Sequence, residues 1–421
     1  DHKGVNNFTG LTAIKATGAS TEGGTVNGIE IGGYSTITND ATLDVTADAT
    51  GTADANGLQI NSGDNTLPTL NSLAATSEDG TAKGINADGG TNTVNVTTNV
   101  SAEATGSGNA GGVNTTGDAE LTTTIGGTLT ATAANGDAAA VNAASSGNTT
   151  VTVNGTTTVE APNGSEYGGA TIVNNGGTGT VTFNANGAMS ATGNRAGGVN
   201  GAGAGTTTIN GNGNTVTLKG TDSSAAALVT GGSKVTLINL KMDSQAPDKK
   251  AYSIFAYGTD GAEVNLEGTT IASSTTTNSA ADIAYQNGSS AVGQDLNITI
   301  DSTSGITGAA NVVDDSGTPS ADNDSAALGA INITNAGTWN VTGDSNLNAS
   351  GESSLTNTGL VDMTKDGTTA EKQVSSKLAV KSLTHNGNLI MDVSPEKVTT
   401  GDQIVTTTTS GSGKIKANIL A

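Results

Sequence analysis

A short phrase recurs eight times between residues 28 and 230: a glycine or alanine, an apolar residue, and usually a polar residue. Successive copies are 27 to 29 residues apart. The copies are Gly28-Ile29-Glu30, Gly57-Leu58-Gln59, Gly84-Ile85-Asn86, Gly112-Val113-Asn114, Ala140-Val141-Asn142, Gly169-Ala170-Thr171, Gly198-Val199-Asn200 and Ala227-Leu228-Val229. A repeat of this length indicates stacked units, because one unit cannot bury its apolar face without neighbours. The middle residues therefore predict one buried line along a stack.

Each unit contains short runs rich in threonine and valine, separated by turn signals. Residues 110–137 predict three strands, with turns at Gly117-Asp118, Gly126-Gly127 and Asn135-Gly136. Asn-Gly corners also occur in antiparallel hairpins, so a meander is an alternative. The corners recur at nearly the same phase, however, which is natural when like corners stack about 4.8 Å apart. The sequence predicts an all-β fold, a right-handed three-stranded parallel β-helix of roughly thirteen turns.

The composition suits a narrow stack better than a thick globular core. Aromatic residues make up 2 % of the 421 residues, and 61 residues are glycine. Glycine enrichment and a net charge of −22 also raise disorder as an alternative. Only five prolines and a strict period argue against disorder. The acidity disfavours nucleic acid as a partner, and without a long apolar run we expect no membrane insertion of this segment.

The polar third residue of the phrase predicts a ladder. If the apolar middle residues face inward, the next residues face outward or into a corner, because side chains alternate along a strand. The predicted ladder comprises Asn86, Asn114, Asn142 and Asn200. Stacked amides can bond to one another along the axis. Such a ladder either stiffens the stack or forms an exposed surface that docks against another copy.

One segment reverses the acidic charge of the chain. Residues 219–250 carry five lysines and three aspartates, a net charge of +2, and aromatic residues follow. Pro247 and the surrounding charges predict a protruding loop near 241–252. Two interpretations stay open, a soluble loop beside a widened aromatic core, or a ligand-binding patch within 241–257. The patch would comprise Lys241, Lys249, Lys250, Tyr252 and Tyr257.

The C-terminal part carries a different set of motifs. They include Trp339-Asn340-Val341, Leu355 to Val361, Gly387-Asn388-Leu389 and Gly401 to Val405. Residues 331–419 resemble the C-terminal rungs and cap of passenger domains in type V bacterial autotransporters of the pertactin, AIDA-I and antigen 43 type. The resemblance implies a β-helix stem over 1–330 and an autochaperone-like cap over 331–421. It also implies display on the surface of a Gram-negative bacterium, or release from it.

Motifs for catalysis are missing. The chain has two histidines, His2 and His385, and no cysteine. Asp314-Asp315 and Asp322-Asn323-Asp324 could bind calcium weakly, but they lack the EF-hand and Gly-rich calcium patterns. We therefore expect no enzyme activity, no cofactor and no metal site.

These observations predict an adhesin. In the first hypothesis, copies on neighbouring cells dock through the predicted ladder and cause aggregation and biofilm formation, since many weak contacts add up. In the second hypothesis, the patch within 241–257 binds a host glycan, a glycosaminoglycan or a matrix protein.

Overall fold

The computed structural model describes residues 4–165, 169–246, 250–257, 261–274, 283–286, 294–313, 329–348, 351–365, 375–393 and 401–419. Strand makes up 66 % of the structure, and the described residues contain no helix. Parallel strands stack as a β-solenoid of about 13 turns, which confirms the predicted fold class. The chain forms two compact units, Asp1–Asp222 and Ser223–Ala421, a division that differs from the predicted boundary at residue 330.

The described residues of the first unit form 21 complete strands and the start of one more. They are β1 (Gly4–Phe8), β2 (Ala13–Ser20), β3 (Thr25–Ile31), β4 (Ser35–Asn39), β5 (Leu43–Gly51), β6 (Asp54–Ile60), β7 (Asn65–Thr66), β8 (Leu70–Ser77), β9 (Ala82–Ala87), β10 (Thr91–Val96), β11 (Val100–Ala104), β12 (Ala110–Thr115), β13 (Glu120–Ile125), β14 (Leu129–Ala133), β15 (Ala138–Ala143), β16 (Thr149–Val153), β17 (Thr157–Ala161), β18 (Ala170–Asn175), β19 (Thr180–Ala185), β20 (Met189–Gly201), β21 (Thr206–Asn210) and β22 (Thr215–Thr230).

Through most of the first unit, each turn supplies three strands. Strands β10, β11 and β12 pair in parallel with β13, β14 and β15, so each of them lies beside the third strand along the chain. Near the end of the unit, β20 covers two of these positions and pairs with both β17 and β18. Three parallel sheets therefore surround one narrow core. Parallel pairing also rules out the antiparallel meander for these strands.

The repeated phrase marks the core of the first unit, as predicted. The middle residues Ile85, Val113, Val141 and Val199 are all 0 % exposed. The small first residue has a steric reason: a Cβ on Gly112 would lie 2.6 Å from Leu129 Cδ1 and 2.7 Å from the Ala140 carbonyl oxygen. Gly112 and Val113 are both buried, and the residues on either side of them converge on the outer face, since a Cβ on Gly111 would lie 2.5 Å from Asn114 Nδ2. The strand is therefore concave on its outer side at this corner.

The second unit begins within β22, and its described residues form 18 further strands. They are β23 (Lys234–Ile238), β24 (Lys241–Gln245), β25 (Lys250–Tyr257), β26 (Ala262–Glu267), β27 (Thr270–Ser274), β28 (Ile283–Gln286), β29 (Leu296–Ile300), β30 (Gly305–Thr307), β31 (Ala310–Val313), β32 (Ile331–Asn335), β33 (Thr338–Asn340), β34 (Ser345–Asn346), β35 (Ser354–Asn357), β36 (Leu360–Asp362), β37 (Lys377–His385), β38 (Asn388–Val393), β39 (Gln403–Ser410) and β40 (Lys414–Ile419). As in the first unit, β26 pairs in parallel with β29 and β29 with β32, whereas β37 pairs with both β34 and β35.

Much of the predicted loop near 241–252 is strand. Residues Lys241–Gln245 form β24, which pairs in parallel with β27, and β25 begins at Lys250. The prediction of a loop is therefore wrong for residues 241–245. Residues 247–249 lie outside the described part of the chain.

The C-terminal motifs fold as further turns of the second unit. Trp339 is fully buried in β33, and its indole Nε1 donates a hydrogen bond to the Gly308 carbonyl oxygen at 2.9 Å. Strand β40 keeps Ile415 and Ile419 exposed. Within residues 401–419 no segment folds over these side chains, and the capping role stays a prediction. The part of the chain that the structure describes contains no helix long and apolar enough to cross a membrane.

Candidate functional site

The predicted ladder residues do lie in one line, but the line has a member that the sequence repeat missed. Asn86 pairs in register with Asn114, and Asn114 with Asn142. The next partner of Asn142 is Asn174, which in turn pairs with Asn200. We call Asn86, Asn114, Asn142, Asn174 and Asn200 the asparagine ladder.

The missed member results from a longer turn between β17 and β18. Ala138 pairs with Ala170, 32 positions later, whereas Ala110 pairs with Ala138 after 28. The sixth copy of the phrase, Gly169-Ala170-Thr171, is therefore three residues out of register, and Ile172-Val173-Asn174 takes its place. The neighbouring Asn-Asn pair at 174–175 was the available signal in the sequence.

The asparagine ladder is recessed. Asn86 is 4 % exposed and Asn114 is 3 % exposed, while Asn142, Asn174 and Asn200 are half-buried. The Nδ2 of Asn142 donates to Asn114 Oδ1 at 3.0 Å, and the Nδ2 of Asn174 donates to Asn142 Oδ1 at 2.7 Å. These bonds join Asn114, Asn142 and Asn174 along the axis, whereas Asn86 Nδ2 donates to Gln59 Oε1 at 2.7 Å.

A groove runs beside the ladder on the concave corner of the strands. Its other wall is a row of mostly small residues, each three positions before a ladder member: Lys83, Gly111, Ala139, Thr171 and Gly197, which we call the facing row. The cavity measures about 300 Å³ and is lined by every member of the two rows except Asn86 and Gly197, together with Thr81, Asn109 and Asp137. The carboxylate of Asp137 accepts hydrogen bonds from the backbone N–H groups of Ser165 and Gly169, both at 2.8 Å.

A second ordered feature lies on a different sheet of the first unit. Seven threonines occupy one outward column, each in register with the next: Thr36, Thr66, Thr93, Thr122, Thr150, Thr182 and Thr208, the threonine column. None of the seven is buried. None of the seven hydroxyl groups has a hydrogen-bond partner among the described residues. Neighbouring members are one strand spacing apart, about 4.8 Å.

The surface around the threonine column is nearly uncharged. Over its last five members, the outward residues two positions before and after each threonine include one charged residue, Glu120. The remaining nine are Thr91, Asn95, Thr124, Asn148, Thr152, Thr180, Asn184, Thr206 and Asn210. Residues 1–218 carry four basic and seventeen acidic side chains, a net charge of −13. This face is therefore a neutral strip on an acidic unit.

Of the predicted patch within 241–257, the structure describes the side chains of Lys241, Tyr252 and Tyr257. Tyr252 is 6 % exposed and packs in a cluster with Phe255, Ala284 and Val313, so it belongs to the core. Tyr257 is exposed at the end of β25, and Lys241 is exposed at the start of β24. Lys249 and the side chain of Lys250 lie outside the described residues. The buried position of Tyr252 removes it from the ligand patch, and a patch formed by the other four residues stays a prediction.

Side chains arranged for metal binding or for acid–base chemistry are few among the described residues. No group of three or more histidine and acidic residues among them could hold a metal ion. The acidic pairs at 314–315 and 322–324, like His2, lie outside the described residues. His385 has structural partners, since Nδ1 lies 3.1 Å from Asn357 Nδ2 and Nε2 lies 3.2 Å from the Lys414 carbonyl oxygen.

One strongly shifted group lies in the second unit. Burial, with a further contribution from the negative charge of Asp295, raises the pKa of Tyr285 to about 12. Its hydroxyl group donates a hydrogen bond to the Gln294 carbonyl oxygen at 2.6 Å. This buried phenol is therefore uncharged at neutral pH, which suits its position in the packed interior.

Comparisons of the chain with protein-family models, curated proteins and solved structures found no match. Function is therefore inferred from the geometry of the asparagine ladder with its groove and of the threonine column.

Proposed function

We propose that this chain is a passenger of the autotransporter type, displayed on a Gram-negative cell surface, that mediates self-association through the threonine column. The resemblance of residues 331–419 supports the passenger class. The observation that carries self-association is the column itself, seven outward hydroxyl groups without partners at one spacing.

A repeating surface favours a partner with the same repeat. Two copies share the strand spacing of about 4.8 Å, so once one pair of turns is aligned, every following pair is aligned as well. A hydroxyl group both donates and accepts hydrogen bonds, so one column complements another copy of itself. Each contact is weak, but contacts along a column, and columns on many molecules per cell, add up to strong adhesion.

The charge distribution supports the same face. Acidic units repel one another, and this repulsion is smallest where charges are fewest. The strip around the threonine column contains Glu120 as its one charged residue over five turns, so copies can approach closely there. The recessed amides of Asn86 and Asn114 are less accessible to a flat partner. The threonine column therefore replaces the predicted ladder as the proposed docking surface.

Cell settling tests this proposal. In the triple variant Thr122→Glu/Thr150→Glu/Thr182→Glu, like charges would face like charges, and we expect settling to fall to the rate of cells without the protein. Thr130→Glu/Thr158→Glu places two charges on a different sheet, in β14 and β17, and is the matched control. We expect the control to settle like the parent.

Ionic strength separates this mechanism from capture of an acidic glycan. Self-association through the hydrogen-bonded columns should persist from roughly 0.05 to 0.5 M salt, because salt screens the repulsion between the acidic copies. If cells with the triple variant settle as fast as the parent and display the protein at the same level, the threonine column is refuted as the docking surface.

A further inference from the structure

The groove beside the asparagine ladder is filled in one part of the first unit and open in another. In the first turns, residues of the facing wall reach across it: Asn27 Nδ2 donates to Glu30 Oε2 at 2.7 Å, and Asn56 Nδ2 donates to Gln59 Oε1 at 3.1 Å. Glu30 and Gln59 are in register with Asn86, and Asn27 and Asn56 are in register with Lys83. The chain itself thus shows which chemistry the groove accepts, a hydrogen-bonding group on each turn.

The groove opens where the facing row loses its amides. Gly111 and Ala139 have no side chain that could cross to the ladder, and both residues line the cavity of about 300 Å³. It extends from Lys83 to Asn200, four turn spacings, or about 19 Å at the usual distance between strands. The opening is therefore long and narrow, and it follows the stack axis.

Buried amide groups in this groove have hydrogen-bonding capacity that the described residues do not use. The bonded chain Asn114–Asn142–Asn174 has a donor at one end, Asn114 Nδ2, and an acceptor at the other, Asn174 Oδ1. Both atoms are buried and have no partner among the described residues. Asn114 is 3 % exposed and lines the cavity. A buried polar atom without a partner is unfavourable, so a ligand that bonds to it gains affinity.

The lining defines the class of ligand. Its two charged residues, Lys83 and Asp137, have opposite signs, and the rest of the lining consists of amides, hydroxyl groups and small residues. A neutral ligand with many hydroxyl or amide groups fits this surface, whereas a polyanion would meet a unit of net charge −13. A sugar unit in an extended β-1,4-linked glycan advances by slightly more than one strand spacing, which is about 4.8 Å.

We propose that this groove binds a neutral, extended polysaccharide, with about one sugar unit over each turn and hydrogen bonds to the asparagine ladder. The site lies on other strands than the threonine column and goes beyond self-association. It would allow the same molecule to hold a polysaccharide matrix as well as another copy of itself.

Titration calorimetry with purified protein tests the site. The neutral probes are cellotetraose, which offers hydroxyl groups, and tetra-N-acetylchitotetraose, which adds amides; a heparin tetrasaccharide is the acidic probe. We expect at least one neutral probe to bind and the heparin probe not to bind. Ala139→Asn should lower the affinity at least tenfold, because its amide would bond to Asn142 across the groove, as Asn56 does to Gln59.

Thr130→Asn is the matched control, since it adds the same side chain on β14, outside both surfaces. It should bind the neutral probe like the parent, and both variants should unfold at the denaturant midpoint of the parent. Three results would overturn the proposal: no binding of either neutral probe at about 1 mM, binding of the heparin probe alone, or equal affinity of Ala139→Asn and the parent. Settling of Ala139→Asn cells should match the parent, which separates failure of this site from failure of the threonine column.

Discussion

Adjacent residues of one strand, Val141 and Asn142, provide a sensitive test of the strand phase. Val141 is 0 % exposed and lies in register with Val113 and Val173, whereas Asn142 is half-buried in the asparagine ladder. Aspartate is close in shape to both side chains. Val141→Asp and Asn142→Asp therefore introduce the same group into two environments that are one residue apart.

The expected losses in the free energy of unfolding differ several-fold. Val141→Asp forfeits the burial of a valine side chain, about 1.5–3 kcal/mol. It also buries a carboxyl group without a partner, a further 1–3 kcal/mol or so. We expect a total of about 3–6 kcal/mol. Asn142→Asp keeps the acceptor for Asn174 Nδ2 and loses the bond donated to Asn114 Oδ1, which is worth about 1 kcal/mol.

Guanidinium unfolding followed by circular dichroism at pH 7 measures both losses. Val141→Ala separates the two parts of the larger loss, since it removes two carbons and should cost about 1.6 kcal/mol plus a cavity contribution. Each turn contacts only its neighbours, so the effect should be confined to the first unit. If Asn142→Asp proves at least as destabilising as Val141→Asp, the inward assignment of the apolar middle residues is refuted.

Two further perturbations follow from the packing. Gly112→Val should destabilise the first unit by about 1–3 kcal/mol, because the new side chain overlaps Leu129 and the backbone of the next turn. Gly176→Val adds its Cβ in open space and should cost little. Equal guanidinium midpoints of the two variants would contradict the steric argument. For Tyr285, the pKa is about 12 in the folded chain and about 10 when unfolded, so the unfolded state binds fewer protons between these values. Stability should be fully present below pH 10 and fall by roughly 2 kcal/mol by pH 12, and Tyr285→Phe should show a smaller fall in denaturant titrations across that range; parallel curves would contradict the assignment.

The sequence by itself determined the fold and the phase of its strands. A period of 27 to 29 residues requires stacked units, and the apolar residue at Val113 or Val141 must face the core of so narrow a stack. The polar residue after it then lies on the outer side, because side chains alternate along a strand. These are local consequences of periodicity, so one chain was enough to predict them.

The tertiary structure decided which residues share a row and what each row can reach. The longer turn before β18 absorbed extra residues, and strand pairing, not sequence distance, made Asn174 the neighbour of Asn142. The sequence predicts Tyr252 as a ligand contact, but in the structure it is a core residue, because it packs against Ala284 and Val313. The sequence shows glycine at 111 and alanine at 139, but only the bend of the strands places them opposite the ladder. Registry and concavity depend on neighbouring turns, and a single repeat does not contain that information.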